Sequence, residues 1–249
     1  MGSKSKEYKE RTYRNLVYDQ DLVSFQVQVK ETDLLIRAKK NLEEKAYESV
    51  LRYRYQLETY ISEHPRFFKS LVPVENDEFA PLIVREMIKG GQVAGVGPMA
   101  AVAGAMAQSV AADLLADSPE VIVENGGDIY LRCNRDVRVA MFAGDSPLSF
   151  RFGLRVPVAD HGWGVCTSSG TVGPSLSFGR ADAVCVLAPS AALADAAATA
   201  IGNVVRSAND LPKALDRAQT IPGISGVVII VGKKMGAWGE MELFPISDS

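Results

Sequence analysis

The chain has few of the residues that usually mark a redox, zinc or disulfide-rich protein. Its 249 residues include only three cysteines and two histidines, at Cys133, Cys166, Cys185, His64 and His161. An odd number of widely spaced cysteines does not make a disulfide framework. Neither histidine has the companions of a zinc site or a catalytic triad. The sequence therefore argues against a disulfide framework, a zinc site and a histidine-containing triad.

Long apolar runs and a strong charge bias are also absent. No apolar run reaches the ~18 residues of a spanning helix, and the nearest, 186–201, is interrupted by Pro189 and Asp195. The first residues, MGSKSKEYKERTYR, are charged and lack the apolar region of a signal peptide. The net charge is −3, which excludes nucleic acid or an anionic membrane as the main partner. We expect a cytoplasmic protein with a small-molecule ligand, and leave homo-oligomerisation open.

The N-terminal part predicts a hairpin followed by a helix. LVSFQVQVKE and TDLLIRAKK alternate between apolar and polar residues, as paired strands do. Apolar residues then recur at helical spacing from Asn41, a capping residue, to Glu63. We expect residues 1–75 to form a hairpin-plus-helix element that packs on the core of a single domain, residues 1–249.

The rest of the chain mixes short strands with helices. Helices are expected over Pro81–Lys89, ended by Gly90-Gly91, and over Pro98–Ala116. Further helices are predicted near 190–206 and 210–219, and strands near 120–124, 128–133, 137–142, 149–156, 183–188, 225–231 and 240–244. The spacing is not that of repeated βαβ units, so the fold class is α+β, with antiparallel or mixed sheets packed against helices.

The stretch GQVAGVGPMAAVAGAMAQ, residues 91–108, fits part of a dinucleotide-binding pattern. Gly95, Gly97 and Ala100 match G-x-G-x-x-A, and Glu124 follows about twenty residues later. That turn requires a preceding strand, whereas the charges in PLIVREMIKGG have a helical spacing. The sequence therefore favours small residues that permit close helix packing over a Rossmann turn.

Two glycine-containing stretches offer backbone donors to a ligand. In ENGGDIY, residues 124–130, adjacent glycines could cradle a phosphate or a planar ring, but a hairpin turn is favoured from these residues alone. In GVCTSSGTVG, residues 164–173, hydroxyls and glycines are suited to an anion. Cys166 lies beside them without a nearby cation to lower its pKa, which favours a buried, inert thiol.

The stretch LADAAATAIGN places two oxygen ligands on one helix face. Asp195 and Thr199 are four residues apart, so both side chains could bind one hard cation. Alternatively, the Thr199 hydroxyl bonds the carbonyl of Asp195 while the carboxylate faces water. The spacing alone leaves both alternatives open.

Taken in order, ENGGDI, CTSSGTVG and ADAAATAIGN resemble the ApbE family of flavin transferases. Residues 93–205 resemble a cytoplasmic branch of that superfamily, so the resemblance implies an ApbE-like fold. It also implies FAD or FMN as cofactor and Mg²⁺ or another divalent cation bound by Asp195 and Thr199. The cofactor-binding residues implied are Gly97, Gly126, Gly127, Asp128, Ser168, Ser169, Gly170 and Thr171.

The sequence departs from the family pattern at two places. Ala103-Gly104 stands where ApbE enzymes have a Lys-Gly pair, and GPSLSFGRADA lacks the histidine of their H-x-x-x-P-x-T-G motif. We therefore expect flavin or phosphate-ligand binding without flavin transfer, and leave enzymatic activity open. The alternatives are persulfide chemistry in thiol metabolism at Cys166 or Cys133, and a binding protein without catalysis.

Overall fold

A computed structural model describes residues 21–170 and 179–246. The strands of this part are β1 (Val23–Val29), β2 (Thr32–Ala38), β3 (Val121–Asn125), β4 (Asp128–Arg132), β5 (Val137–Ala140), β6 (Phe152–Val156), β7 (Trp163–Ser168), β8 (Ala183–Ala188), β9 (Gly226–Val231), β10 (Lys234–Gly239) and β11 (Glu242–Pro245). Its α-helices are α1 (Glu43–Glu63), α2 (Pro65–Lys69), α3 (Leu82–Ala94), α4 (Val102–Leu114), α5 (Ala191–Gly202) and α6 (Leu211–Gln219).

The strands form two sheets in which every neighbouring pair is antiparallel. Eight strands follow the order β1-β2-β3-β4-β7-β8-β9-β10, and three follow the order β11-β6-β5. Since β2 pairs with β3, the N-terminal hairpin extends the large sheet itself, while α1 packs against β1 and α4. The α+β prediction is confirmed.

Each face of the large sheet borders a separate hydrophobic core. On β3, Val121 and Val123 belong to the core beneath the helices, whereas Ile122 belongs to the core shared with the small sheet. This alternation follows from the two-residue period of a strand. Strand β8 is buried at all six positions because both of its faces are covered.

Helix α5 lies in the middle of the helical layer, against α3, α4, β7 and β8. Glycines face its first turn from three sides. A Cβ on Gly90 would lie 2.8 Å from the Ala192 carbonyl oxygen, and a Cβ on Gly104 or Gly164 would overlap Ala191. The small residues therefore permit backbones to approach closely, as the sequence indicated.

The structure corrects the helix boundaries in this region. Helix α3 continues past Lys89 to Ala94 and ends at Gly95, whose φ is +75°. Gly90 and Gly91 lie inside α3 and do not end it. At both positions the absence of a side chain lets a neighbouring backbone segment approach closely. Pro98–Ala101 forms a 3₁₀ turn before α4. Because a helix and not a strand enters the Gly95 turn, a Rossmann turn is excluded.

Three smaller differences concern the start of a helix, the length of a strand and one additional strand. Helix α1 begins at Glu43, whose N–H donates to Asn41 Oδ1 at 2.8 Å. The strand expected over 149–156 is confined to β6, and β10 was not predicted.

Within the part of the chain that the structure describes, no single helix is long and apolar enough to span a membrane. The bent pair Leu82–Ala94 and Pro98–Leu114 reaches the required length and apolar composition only when the two helices are taken together.

Candidate functional site

The β3–β4 hairpin presents an open backbone at its tip. Gly126 and Gly127 have φ values of +66° and +104° between the paired residues Asn125 and Asp128. Positive φ at both central positions is the requirement of a two-residue type I′ turn. The Gly127 N–H donates to Glu124 Oε1 at 2.8 Å. A Cβ on either glycine would meet nothing within 4 Å, so the stretch is a hairpin turn with accessible backbone.

Asp128 begins β4 and lies buried beneath this tip. Its Oδ1 accepts a hydrogen bond from the Thr167 N–H at 3.2 Å. Burial, followed by the negative charge of nearby Asp195, raises the pKa of Asp128 well above its ordinary value. Desolvation and a like charge both disfavour an ionised carboxylate. Asp128, which is buried, and Asp195, which is half-buried, therefore form a pair of neighbouring acids.

Asp195 is half-buried, and its carboxylate binds backbone amides at the start of α4. Its Oδ2 accepts a hydrogen bond from the Gly104 N–H at 3.0 Å, and the Ala103 N–H also bonds to the carboxylate. Burial raises the pKa of Asp195 to about 7, although the two backbone donors act in the opposite direction. Thr199 lies one turn further along α5 and is half-buried.

The hairpin also contacts the first turn of α4. Asn125 Nδ2 donates to the Ala103 carbonyl oxygen at 3.1 Å. In the opposite direction, Gln108 Oε1 on α4 accepts from the Ala191 N–H at the start of α5, at 2.7 Å. Since Asp195 on α5 caps α4 and Gln108 on α4 caps α5, each helix satisfies free amides of the other.

Most of the predicted cofactor-binding residues lie on, or directly beside, the ends of the neighbouring strands β4 and β7. Ser168 ends β7, directly beside the hairpin strand β4, and Ser169 and Gly170 follow it. Thr171 lies outside the described residues. Gly97 differs, because it is buried and a Cβ there would overlap the Ser70 carbonyl. Its small size therefore has a packing reason, and ligand contact at all these residues stays a prediction.

Sequence reasoning missed the polar contacts between elements. Asn125 was interpreted only as a turn residue, and Gln108 was not considered. Their partners lie 22 and 83 positions away in the chain, so neither contact has a local signal.

The structure also bears on the cysteine alternative. All three cysteines are buried, and none of them is in a disulfide. Burial and the neighbouring carboxylates Asp128 and Asp195 raise the pKa of the Cys166 thiol well above its ordinary value. Its Sγ donates to the Ala191 carbonyl at 3.4 Å. Because the thiolate is the reactive form, this environment favours a structural thiol.

Comparison with known proteins places the chain in a family. Residues 14–243 match the family model described as AbpE bacteria. A UPF0280 protein of Methanocaldococcus jannaschii is 43% identical over 219 residues, covering 86% of this chain and 89% of that protein.

Two solved structures share the fold. The apo flavinyl transferase ApbE of Pseudomonas stutzeri has a TM-score of 0.59 at 18% identity, covering 88% of this chain and 94% of that one. The ApbE protein of Thermotoga maritima has a TM-score of 0.56 at 12% identity, with 86% and 96% covered. With most of its length matched by the family model, the chain belongs to the AbpE bacteria family and has the ApbE fold.

Proposed function

We propose that this protein binds a flavin or a related phosphate-bearing small molecule together with a divalent cation, and that it does not transfer flavin to another protein. The ligand site lies between the β3–β4 hairpin, the end of β7 and helix α5. The observation that carries the proposal is the pair of neighbouring carboxylates, buried Asp128 and half-buried Asp195, close to an open glycine turn.

The side chains present suit a hard cation such as Mg²⁺. Asp195 and Thr199 supply a carboxylate and a hydroxyl, which are ligand types that Mg²⁺ accepts. A nearby divalent charge would also offset the unfavourable ionisation of Asp128 and Asp195. Within the described residues, no group of three or more acidic, histidine or cysteine side chains could hold a metal by itself. We therefore infer that oxygens of the ligand complete the coordination.

The backbone around the carboxylates suits a phosphate-bearing ligand. The tip at Gly126 and Gly127 has open space where side chains would otherwise lie. Ser168 and Ser169, half-buried at the end of β7, offer hydroxyl donors to phosphate oxygens. A cation bound here would neutralise phosphate charge that the nearby acids would otherwise repel.

We expect the protein to bind FAD in the presence of Mg²⁺ but to transfer no flavin mononucleotide. Ala103-Gly104, whose backbone amides bond to Asp195, stands where family enzymes carry a Lys-Gly pair. The histidine of the family motif is absent as well. Loss of one positioned acid–base or electrostatic group typically lowers a rate by ~10²–10⁴.

The test incubates the protein with FAD, Mg²⁺ and a threonine-containing acceptor, with the Pseudomonas stutzeri transferase as positive control. Mass spectrometry reports a covalent adduct, and fluorescence quenching reports FAD binding. Acceptor labelling by this protein at a rate near that of the control would contradict the absence of transfer. Absence of binding would contradict the ligand assignment.

A second prediction concerns the hairpin tip. We expect Gly127→Val to weaken FAD binding at least about tenfold, because a branched side chain would fill the open space above Asp128. The φ of +104° at Gly127 also disfavours valine. Fluorescence quenching at increasing protein concentration measures the dissociation constant.

Gly232→Val is the matched control for backbone strain. Gly232 has a φ of +59°, open space at its Cβ position and lies in the β9–β10 turn, three strands from β4. We expect a similar loss of thermal stability with unchanged FAD affinity. Equal weakening in both variants would show that turn strain, and not a blocked site, is responsible.

A further inference from the structure

We propose that Asn125 is a positioning residue for the Asp195 carboxylate, and that it acts through the peptide group joining Ala103 to Gly104. This inference rests on the proposed role of Asp195 in cation binding. It adds a residue of the hairpin to the set that determines the geometry of the cation site.

The two side chains bond opposite edges of one peptide plane. Asn125 Nδ2 donates to the Ala103 carbonyl oxygen at 3.1 Å. The amide of the same peptide group, Gly104 N–H, donates to Asp195 Oδ2 at 3.0 Å. Because a trans peptide is planar, its carbonyl and its N–H point in opposite directions. Asn125 and Asp195 are therefore connected through a single rigid unit.

This connection has an electronic and a geometric effect. A donor on the carbonyl polarises the peptide group and strengthens the hydrogen bond made by its N–H, since bonds in a chain reinforce one another. It also restricts tilting of the peptide plane, which fixes the direction from which Asp195 Oδ2 is bound. The carboxylate is then held by the backbone of α4 in one orientation relative to a ligand.

The position of the peptide group depends on glycine. A Cβ on Gly104 would lie 3.0 Å from Asp195 Cβ and would overlap the Ala191 carbonyl. Only the absent side chain lets the carboxylate reach the N–H. Helices α4 and α5 are joined independently by the bond from Ala191 N–H to Gln108 Oε1, so Asn125 is not required to hold the two helices together.

The experiment compares Asn125→Ala and Asn125→Asp with wild type, and uses Gln108→Ala as the control. Asn125→Asp keeps the size and turn preference of the side chain but removes the donor. Calorimetric titration with Mg²⁺ measures cation affinity, and thermal unfolding reports stability. We expect affinity to fall about tenfold in both Asn125 variants, the range for partners that orient a metal ligand.

A spectroscopic measurement separates positioning from general loosening. Labelling alanine carbonyls with ¹³C and glycine amides with ¹⁵N selects the three Ala-Gly peptides of the sequence, which include Ala103-Gly104. In cation-free protein, we expect the Gly104 amide proton to move upfield in both Asn125 variants, as its hydrogen bond weakens. Gln108→Ala should lower the unfolding temperature without changing this signal or the Mg²⁺ affinity.

The experiment distinguishes a failure of this inference from a failure of the proposed function. An unchanged Gly104 signal and unchanged Mg²⁺ affinity in the Asn125 variants overturn the inference. Equal loss of affinity in Gln108→Ala overturns it as well, because helix loosening would explain both. If wild type binds no Mg²⁺ while the Gly104 signal still moves, Asn125 does position the carboxylate and the cation part of the proposed function fails.

Discussion

Replacing Asp195 by asparagine is expected to stabilise the cation-free protein at pH 8 and to abolish most of its Mg²⁺ binding. Asparagine has nearly the same shape and its amide oxygen can still accept the Gly104 N–H bond. It removes a negative charge that burial makes unfavourable at Asp195 and that raises the pKa of Asp128. We expect Mg²⁺ affinity to fall by more than the roughly 10–100-fold typical of a partner that only orients a ligand.

The pH dependence follows from the direction of the pKa shift. The pKa of Asp195 is raised from 3.8 to about 7 in the folded protein, so the folded state binds a proton that the unfolded state has released. Stability of cation-free wild type therefore falls as pH rises from about 4 to about 7, by an amount on the order of 4 kcal/mol. The fall should be smaller in Asp195→Asn.

Thermal unfolding in chelator between pH 5 and pH 8, followed by addition of Mg²⁺, measures both effects. Wild type should regain stability with Mg²⁺, and Asp195→Asn should not. Asp136→Asn is the control, since Asp136 is bound by Arg155 and its pKa is lowered by that hydrogen bond. Undiminished Mg²⁺ binding by Asp195→Asn would place the cation elsewhere.

The second large effect is expected from Gly104→Ala. In an exposed helix this change would stabilise by up to about 1 kcal/mol. Here the added Cβ would overlap the Ala191 carbonyl, which is backbone and cannot rotate away. We expect α4 and α5 to separate, with a loss of about 3 kcal/mol in the free energy of unfolding and loss of Mg²⁺ binding.

Urea unfolding measures this change, with Gly236→Ala as the control. A Cβ on Gly236 would meet only side-chain atoms, the nearest being Leu215 Cδ1 at 3.3 Å. We expect this control to change the free energy of unfolding by less than about 1 kcal/mol. Equal stability of Gly104→Ala and wild type would mean that the two helices tolerate a wider separation.

Sequence patterns predicted the elements that are determined by residues close together in the chain. The alternation in β1 and β2 predicted their hairpin, and adjacent glycines predicted the turn at Gly126. The Ala-rich run near 190–206 predicted the helix that carries both Asp195 and Thr199. In each case the residues that determine the structure are within a few positions of one another.

Contacts between distant segments could not be predicted in this way. Gly90 was interpreted as part of a helix end, yet its role depends on close approach of Ala192, about 100 positions away. The pairing of Asp128 with Cys166 and the Asn125 bond to Ala103 depend on strand order. Such features are properties of the assembled fold, and a single sequence carries no periodic signal for them.

The mutual capping of α4 and α5 has a consequence for synthesis of the chain on the ribosome. The bonds that connect these helices join residues 83 and 91 positions apart, and α5 follows the first eight strands in chain order. A nascent chain that ends before Ala191 already contains the glycine hairpin and α4, but it lacks Asp195. The first turn of α4 then keeps unsatisfied amides until α5 emerges. We expect the proposed cation to bind only after translation has passed α5, because Asp195 lies on that helix.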